Sequence, residues 1–160
     1  MAVQRTNVMR ILDQKKVPYN TFNYPHSDDA VDGITVSQLI EKPAEQVFKT
    51  LVAVGASKKN YVFVIPVHYE LDLKKAAKAV GEKSISMLPV NQLLGLTGYV
   101  RGGCSPIGMK KQFPTYIHDS GDLPNTIIVS AGKIGFQVEL SPVDLMKLTN
   151  GQTADVACKE

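Results

Sequence analysis

The sequence predicts a mixed α/β fold in which a mixed, barrel-like central β-sheet is surrounded by α-helices. Segments with strand and helix periodicity interleave along the chain, but they do not follow a regular strand-helix-strand repeat. Several predicted strands are joined by short turns, which favours antiparallel pairs over a doubly wound parallel sheet. The length of 160 residues suffices for one hydrophobic core, so we expect a single domain over residues 1–160.

The first elements are short. Apolar residues at helical spacing predict an amphipathic helix over Thr6–Lys16. Alternating aromatic and polar residues predict a strand over Tyr19–Tyr24. A short helix follows over Val36–Ile40, and we expect Thr35 or Ser37 to cap its N-terminus.

A hairpin is predicted in the middle of the chain. Val47–Val54 is apolar on both faces, as in a central strand, and a turn over 55–60 leads to a second apolar strand at Tyr61–Val67. We expect these strands to pair antiparallel. An amphipathic helix follows over Leu71–Val80, and Gly81 ends it as a C-cap glycine.

The second half of the chain alternates short strands, short helices and turns. Its last helix opens with Ser141 as N-cap and a proline in the first turn. The elements predicted by the same criteria are strands at Ser84–Met87, Thr115–His118, Thr126–Val129 and Phe136–Leu140, helices at Pro89–Leu94 and Ser141–Leu148, and an edge strand around Ala154–Val156.

Composition and charge exclude some classes of protein. Hydrophobic residues make up 44% of the chain, and no apolar run approaches the roughly 20 residues that a membrane helix needs. The first residues lack the apolar segment of a secretory signal, so we expect a cytoplasmic protein without a membrane partner. A net charge of +3 permits a nucleic-acid partner without requiring one.

One lysine interrupts the strongest strand. With a period of two, Lys49 shares a face with Val47, Leu51 and Ala53, where an apolar side chain is expected. Burying an unpaired ammonium is costly. Lys49 is therefore paired, extends to the strand's edge, or faces a cleft that binds an anion.

The segment Val100–Lys111 is rich in glycine. Three glycines and a proline fall within the seven residues from Gly102 to Gly108, and two lysines end the segment. Such a loop exposes backbone amides, which suit a phosphate, a carboxylate or a developing oxyanion. An ordinary turn is the alternative interpretation.

Familiar catalytic and metal-binding patterns are missing from the sequence. The three histidines have no metal-ligand spacing, and neither a nucleophile elbow nor a phosphate loop occurs. Two cysteines, Cys104 and Cys158, form neither a disulfide framework nor a metal cluster. Cys104 is a candidate nucleophile, although no base stands near it in sequence and a free buried cysteine is commoner. We expect no metal and no cofactor.

Four motifs in order carry a resemblance to a known family. They are Phe48-Lys49-Thr50, Leu73-Lys74-Lys75-Ala76-Ala77-Lys78, Thr97-Gly98-Tyr99-Val100 with the following glycine loop, and Val129-Ser130-Ala131-Gly132-Lys133. From about Thr6 to the last helix, the sequence resembles the YbaK/EbsC family, free-standing relatives of the editing domain of bacterial prolyl-tRNA synthetases. The resemblance implies a deacylase of mischarged aminoacyl-tRNA, most typically Cys-tRNA(Pro) and also Cys-tRNA(Cys).

The resemblance also implies site residues. It assigns catalytic roles to Lys49 and Gly102. It assigns substrate binding to Tyr24, Thr50, Gly103, Cys104, Ser105, Pro106 and Ser130. Ala131 and Ile134 stand where close relatives typically have Gly and Arg, and Asp32-Gly33 stands where some members have an aromatic residue before the glycine. These departures bear on which amino acid is preferred.

A mechanism without a protein nucleophile is implied for cysteine-selective members. The substrate's own thiol attacks the ester and leaves as a thiolactone, and amides of Gly102–Ser105 stabilise the oxyanion. Lys49 either holds the terminal adenosine phosphate or polarises the site. Expected partners are the acceptor end of tRNA(Pro) and prolyl-tRNA synthetase. The alternatives are a deacylase for another small residue such as alanine and a non-catalytic tRNA-binding or synthetase-binding module.

Overall fold

A computed structural model describes residues 5–26 and 29–159. In this part of the chain, five helices and ten strands alternate. The helices are α1 (Asn7–Gln14), α2 (Gly33–Leu39), α3 (Leu73–Val80), α4 (Val90–Thr97) and α5 (Pro142–Thr149). The strands are β1 (Asn20–Asn23), β2 (Phe48–Gly55), β3 (Asn60–Pro66), β4 (Tyr69–Leu71), β5 (Ile85–Met87), β6 (Thr115–His118), β7 (Ile127–Ser130), β8 (Phe136–Leu140), β9 (Gln152–Ala154) and β10 (Ala157–Lys159).

The strands form three sheets, and the mixed α/β class is confirmed. The largest has the order β5-β2-β3-β6-β9, and it is mixed because β2 and β3 are antiparallel whereas β6 lies parallel to β3 and β9. The order β1-β8-β7 forms a second sheet, and β10-β4 a third.

The sequence predicted a barrel-like mixed sheet, and the described strands form a mixed sheet without a closed barrel. Both edges of β2 are already occupied, by β3 along its length and by β5 over Ala53–Gly55. Only the beginning of the strand remains open to the second sheet, and there a single parallel bridge joins Val47 to Ile128. The two larger sheets therefore meet at the start of β2.

Burial of β3 on both faces explains its continuous apolar run. Val62 and Val64 belong to one core cluster, whereas Phe63 and Ile65 belong to another on the opposite face. All four side chains are fully buried. This is the environment in which a strand loses the alternation of apolar and polar residues.

Helix α2 begins earlier than predicted because a different residue caps it. The Asp32 carboxylate accepts hydrogen bonds from the Thr35 hydroxyl at 2.6 Å and the Thr35 amide at 3.1 Å. These bonds lower the pKa of Asp32, chiefly through the hydroxyl. The expectation of Thr35 or Ser37 as cap was wrong, since both lie within the helix. The predicted cap of α5 is confirmed, because the Ser141 hydroxyl accepts from the Asp144 amide at 3.0 Å.

The C-terminal tail contributes two strands where the sequence predicted one. β9 lies parallel to β6, and β10 pairs antiparallel with β4, a strand of three residues that the sequence did not reveal. The predicted edge strand at Ala154–Val156 instead falls mainly between β9 and β10. No helix in residues 5–26 and 29–159 is long and apolar enough to cross a membrane.

Candidate active site

A cavity of about 600 Å³ lies where the two larger sheets meet. Its wall is built from the segment that leads into α2, the first half of β2, the glycine loop after α4, and the facing ends of β7 and β8. Its polar and glycine lining residues are Asp32, Gly33, Lys49, Thr50, Arg101, Gly102, Cys104, Ser130 and Gln137. The volume suits a small ligand or the end of a larger one.

Lys49 lines this cavity and is half-buried. Its ammonium donates to the carbonyl oxygen of Val67 at 3.4 Å, which anchors the amine on the wall. The next residue, Thr50, also lines the cavity, and its Oγ1 is buried without a hydrogen-bond partner among the described residues. A buried hydroxyl without a partner is uncommon in folded proteins.

The glycine loop forms a tight turn at the cavity wall. The Gly103 amide donates to the Val100 carbonyl at 3.0 Å, and Gly102 has a φ of 87°, a conformation that favours glycine. A Cβ on Gly102 would lie 2.9 Å from the Ala30 Cβ and 3.0 Å from its Cα. The space beside Gly102 therefore admits no side chain.

The amides of this loop divide into two groups. That of Gly103 is committed to the turn, so it is no candidate for an oxyanion contact. Those of Gly102 and Cys104, which line the cavity, donate to no acceptor within the described residues. The expected donor set of Gly102–Ser105 is thereby reduced, and the amides of the two cavity-lining residues, Gly102 and Cys104, are its best candidates.

The other residues of the loop that were predicted to bind substrate are not among those that line the cavity. Ser105 is fully buried away from the cavity wall, and its Oγ accepts from the Ile107 amide at 3.2 Å. Pro106 is buried and also lies off the wall. A Cβ on Gly103 would lie 3.0 Å from the Ile134 amide nitrogen, which shows how closely the loop packs on the turn after β7.

Cys104 lines the cavity but is poorly suited to act as a nucleophile. Its side chain is buried, and burial raises the pKa of the thiol to about 12. A thiol with such a pKa is overwhelmingly protonated at neutral pH, and the thiolate is the reactive form. In addition, the described residues that line the cavity include no histidine to serve as a base.

Ser130 and Gln137 lie directly opposite each other on β7 and β8, and both line the cavity. The Ser130 hydroxyl accepts from the Gly132 amide at 3.1 Å. Gln137 is only 5% exposed, and no described residue forms a hydrogen bond with its side-chain amide. Sequence reasoning missed Gln137, because alternation with Phe136 and Val138 is equally typical of a polar residue facing solvent.

Tyr24 lies behind the cavity. It packs in a buried cluster with Val36, Val47 and Val67, which themselves line the cavity, whereas Tyr24 is absent from the wall. Its hydroxyl is buried without a partner in the described part of the chain. A direct contact of Tyr24 with substrate stays a prediction, as do the roles of the other site residues.

Taken together, these features define a mixed α/β protein whose cavity offers ligands a lysine, two backbone amides and small polar side chains. Comparison with known proteins shows which family has these features. Residues 29–148 match the family described as the aminoacyl-tRNA editing domain. The chain belongs to this family.

One relative agrees with this assignment, and two solved structures show a similar fold. Over 98% of the chain and 96% of the relative, the sequence is 49% identical to EbsC of Enterococcus faecalis, which is assigned as a Cys-tRNA(Pro)/Cys-tRNA(Cys) deacylase. A crystal structure described as a trans-editing enzyme for prolyl-tRNA synthetase superposes with a TM-score of 0.79 at 23% identity, covering 99% of both chains. Hypothetical protein APE2540 superposes with a TM-score of 0.82 at 18% identity, covering 94% of this chain and 99% of the other. Both structures share the fold.

Proposed function

We propose that the protein is an aminoacyl-tRNA deacylase that removes cysteine from mischarged Cys-tRNA(Pro), and also from Cys-tRNA(Cys), acting in trans. The observation that carries the proposal is that Lys49, Gly102 and Cys104 line one cavity, and that the amides of Gly102 and Cys104 have no acceptor among the described residues. Preorganised amides are suited to an oxyanion, the species through which an ester breaks. The similarity to EbsC over nearly the whole chain supports the cysteine substrate.

The chemistry needs no nucleophile from the protein. The sulfur of the substrate's cysteine attacks its own ester carbonyl, and a C–S bond forms while the carbonyl electrons move to oxygen. The amides of Gly102 and Cys104 donate to this oxyanion. Collapse breaks the ester C–O bond, the thiol proton passes to the ribose oxygen, and a cyclic thiolactone leaves.

Lys49 supplies the positive charge of this site. Its ammonium sits on the cavity wall, where it either holds the phosphate of the terminal adenosine or polarises the ester. In both roles the ammonium stabilises a negative charge, on the phosphate or on the developing oxyanion. The cavity is partly shielded from water, and there the attraction between the two charges is stronger than in water. We further propose that the protein meets its substrate in the cytoplasm beside prolyl-tRNA synthetase.

The test compares tRNA(Pro) charged separately with cysteine, alanine and proline. We expect the purified protein to deacylate the cysteinyl form and to spare the prolyl form. Faster deacylation of the alanyl form would show that alanine, and not cysteine, is the amino acid that the protein removes. If the protein deacylates none of the three forms, the alternative of a non-catalytic binding module remains.

Variants of Lys49 connect this activity to the cavity. Lys49→Ala and the longer Lys49→Met should each lose most of the deacylation, because both remove the charge from the wall. The exposed Lys147→Ala on α5 is the matched control and should retain activity. Circular dichroism melts of both variants should show that the fold persists, so that the lost activity is assigned to the missing charge and not to unfolding. Near-normal activity of Lys49→Met would contradict the role of Lys49.

A further inference from the structure

Arg101 stands at the rim of the cavity and is not explained by the chemistry above. It belongs to the turn that the Gly103 amide closes on the Val100 carbonyl, and it is exposed while also lining the cavity. No carboxylate among the described residues lies within 4.0 Å of its guanidinium. A cation held at the rim of a binding cavity without an ion-pair partner is available to a ligand.

The nearby carboxylate of Asp32 forms no ion pair with Arg101 among those of the described residues. Asp32 also lines the cavity, but both of its oxygens accept hydrogen bonds from Thr35 at the start of α2. A second cation, Lys133, is exposed on the turn that packs against Gly103, and it too has no ion-pair partner in the described part of the chain. Two cations, Arg101 on the cavity lining and Lys133 on the neighbouring turn, therefore flank the glycine loop.

The size of the cavity limits what it can hold. A volume of about 600 Å³ accommodates an amino acid and its ribose with the base, whereas the phosphodiester chain of a tRNA must continue outside. The first phosphates that leave the cavity then pass its rim. The planar fork of an arginine matches two phosphate oxygens at once, which a lysine ammonium cannot do.

We infer that Arg101 binds a backbone phosphate of the tRNA acceptor strand as that strand leaves the cavity, and so holds the tRNA to the protein outside the site of the chemistry. The inference rests on the proposed function, since it takes an aminoacyl-tRNA as the ligand. It assigns Arg101 a task outside the cavity, whereas Lys49 acts on the wall within it.

The experiment compares two substrates that differ in phosphate. One is Cys-tRNA(Pro), and the other is the cysteine ester of adenosine, which carries no phosphate. Arg101→Gln removes the charge, Arg101→Lys keeps it without the fork, and Arg10→Gln, an exposed arginine of α1, is the matched control. We expect Arg101→Gln to raise KM for Cys-tRNA(Pro) by about 10-fold to 100-fold, the loss of a charge-assisted hydrogen-bond pair, with kcat changed little. Arg101→Lys should fall between.

Two further readouts separate a phosphate contact from a structural role. On the phosphate-free ester, kcat/KM of Arg101→Gln should equal that of Arg10→Gln. The slope of log Kd for uncharged tRNA(Pro) against log salt should fall by about one in Arg101→Gln. An equal loss on both substrates, or an unchanged KM and salt slope, would overturn the inference.

The binding measurement also separates this inference from the proposed function. If the wild-type protein binds uncharged tRNA(Pro) but deacylates no charged form, the proposed function fails while the Arg101 contact is still measured by the salt slope. If the wild-type protein binds no tRNA, both fail.

Discussion

Two cavities share one residue, Phe48, and differ in almost everything else. The larger, of about 600 Å³, is lined by glycine backbone, small polar side chains and cations. The smaller, of about 30 Å³, is lined by His68, Tyr69 and His118 together with acidic and proline residues. The smaller has room for about one or two waters and none for an amino acid or a nucleotide.

One histidine at the smaller cavity, His118, has a structural role. His118 is 3% exposed, and its Nδ1 accepts hydrogen bonds from the amides of Val156 and Ala157 at 3.1 Å each. These bonds tie the C-terminal tail to the end of β6, and they require the neutral ring with its proton on Nε2. Histidine is the residue type most often used in general acid-base catalysis, but His118 here binds backbone amides. The larger cavity is lined by a lysine and by glycines instead.

The largest expected effect comes from Gly102→Ala. A Cβ would enter the space held by Ala30 and would strain a residue with φ of 87°. If this displaces one oxyanion donor, activity on Cys-tRNA(Pro) should fall by about 10²-fold to 10³-fold. The measurement is the rate constant for deacylation under single-turnover conditions.

A matched control separates lost catalysis from backbone strain. Gly81 has a φ of 76° at the end of α3, and a Cβ there would meet nothing within 4 Å. Gly81→Ala therefore carries a similar strain of about 1–2 kcal/mol without crowding, and it should lower the melting temperature yet keep activity. Equal activity losses in both variants would mean that the glycine loop matters through stability alone.

A smaller effect is expected from pH, and it belongs to the other cavity. Burial lowers the pKa of His118, and the positive charge of Lys75 lowers it further, whereas the carboxylates of Asp155, Asp122 and Asp119 oppose this shift. Above the unfolded pKa of about 6.5 the ring is neutral in both states. As pH falls below that value, the unfolded chain takes up a proton that the folded protein resists, so stability decreases until the folded pKa is reached.

Denaturant unfolding between pH 7.5 and 5.5 measures this effect. His118 should contribute a slope of at most about 1.4 kcal/mol per pH unit, and His118→Phe should remove that contribution while lowering stability at pH 7.5. Deacylation by the folded variant at pH 7.5 should persist. Loss of catalysis without loss of stability would break the division between the two cavities.

The sequence was most informative where a physical pattern is local. Apolar runs predicted β2 and β3, and a serine-proline pair predicted the start of α5. It was least informative for β4 and for the tail strands β9 and β10, each three residues long, because such pairings depend on partners distant in the chain. Failure of barrel closure likewise depends on how β5 occupies one edge of β2.

The site was partly predictable for the same reason. The sequence alone reveals a lysine on an apolar strand face and a glycine-rich loop. In the structure, Lys49 and Gly102 line the same cavity. Gln137 and Arg101 gave no such signal, since a polar residue in an alternating strand and an arginine in a turn are commonplace. Only the structure shows that the ends of β7 and β8 lie beside the glycine loop, so that Gln137 and Arg101 line the same cavity.

The smallest effect is expected at the one cysteine of the larger cavity. With a pKa raised to about 12 by burial, the Cys104 thiol should resist alkylation at pH 8, whereas the exposed Cys158 should react. Cys104→Ser preserves the backbone amide and nearly the volume, so deacylation should change by less than about threefold, and Cys158→Ser should behave alike. Mass spectrometry after iodoacetamide treatment, followed by an activity assay, checks both points. Inactivation that tracks alkylation of Cys104, together with a dead Cys104→Ser and an active Gly102→Ala, would instead make Cys104 the nucleophile and place it, rather than the substrate's own thiol, at the ester carbon.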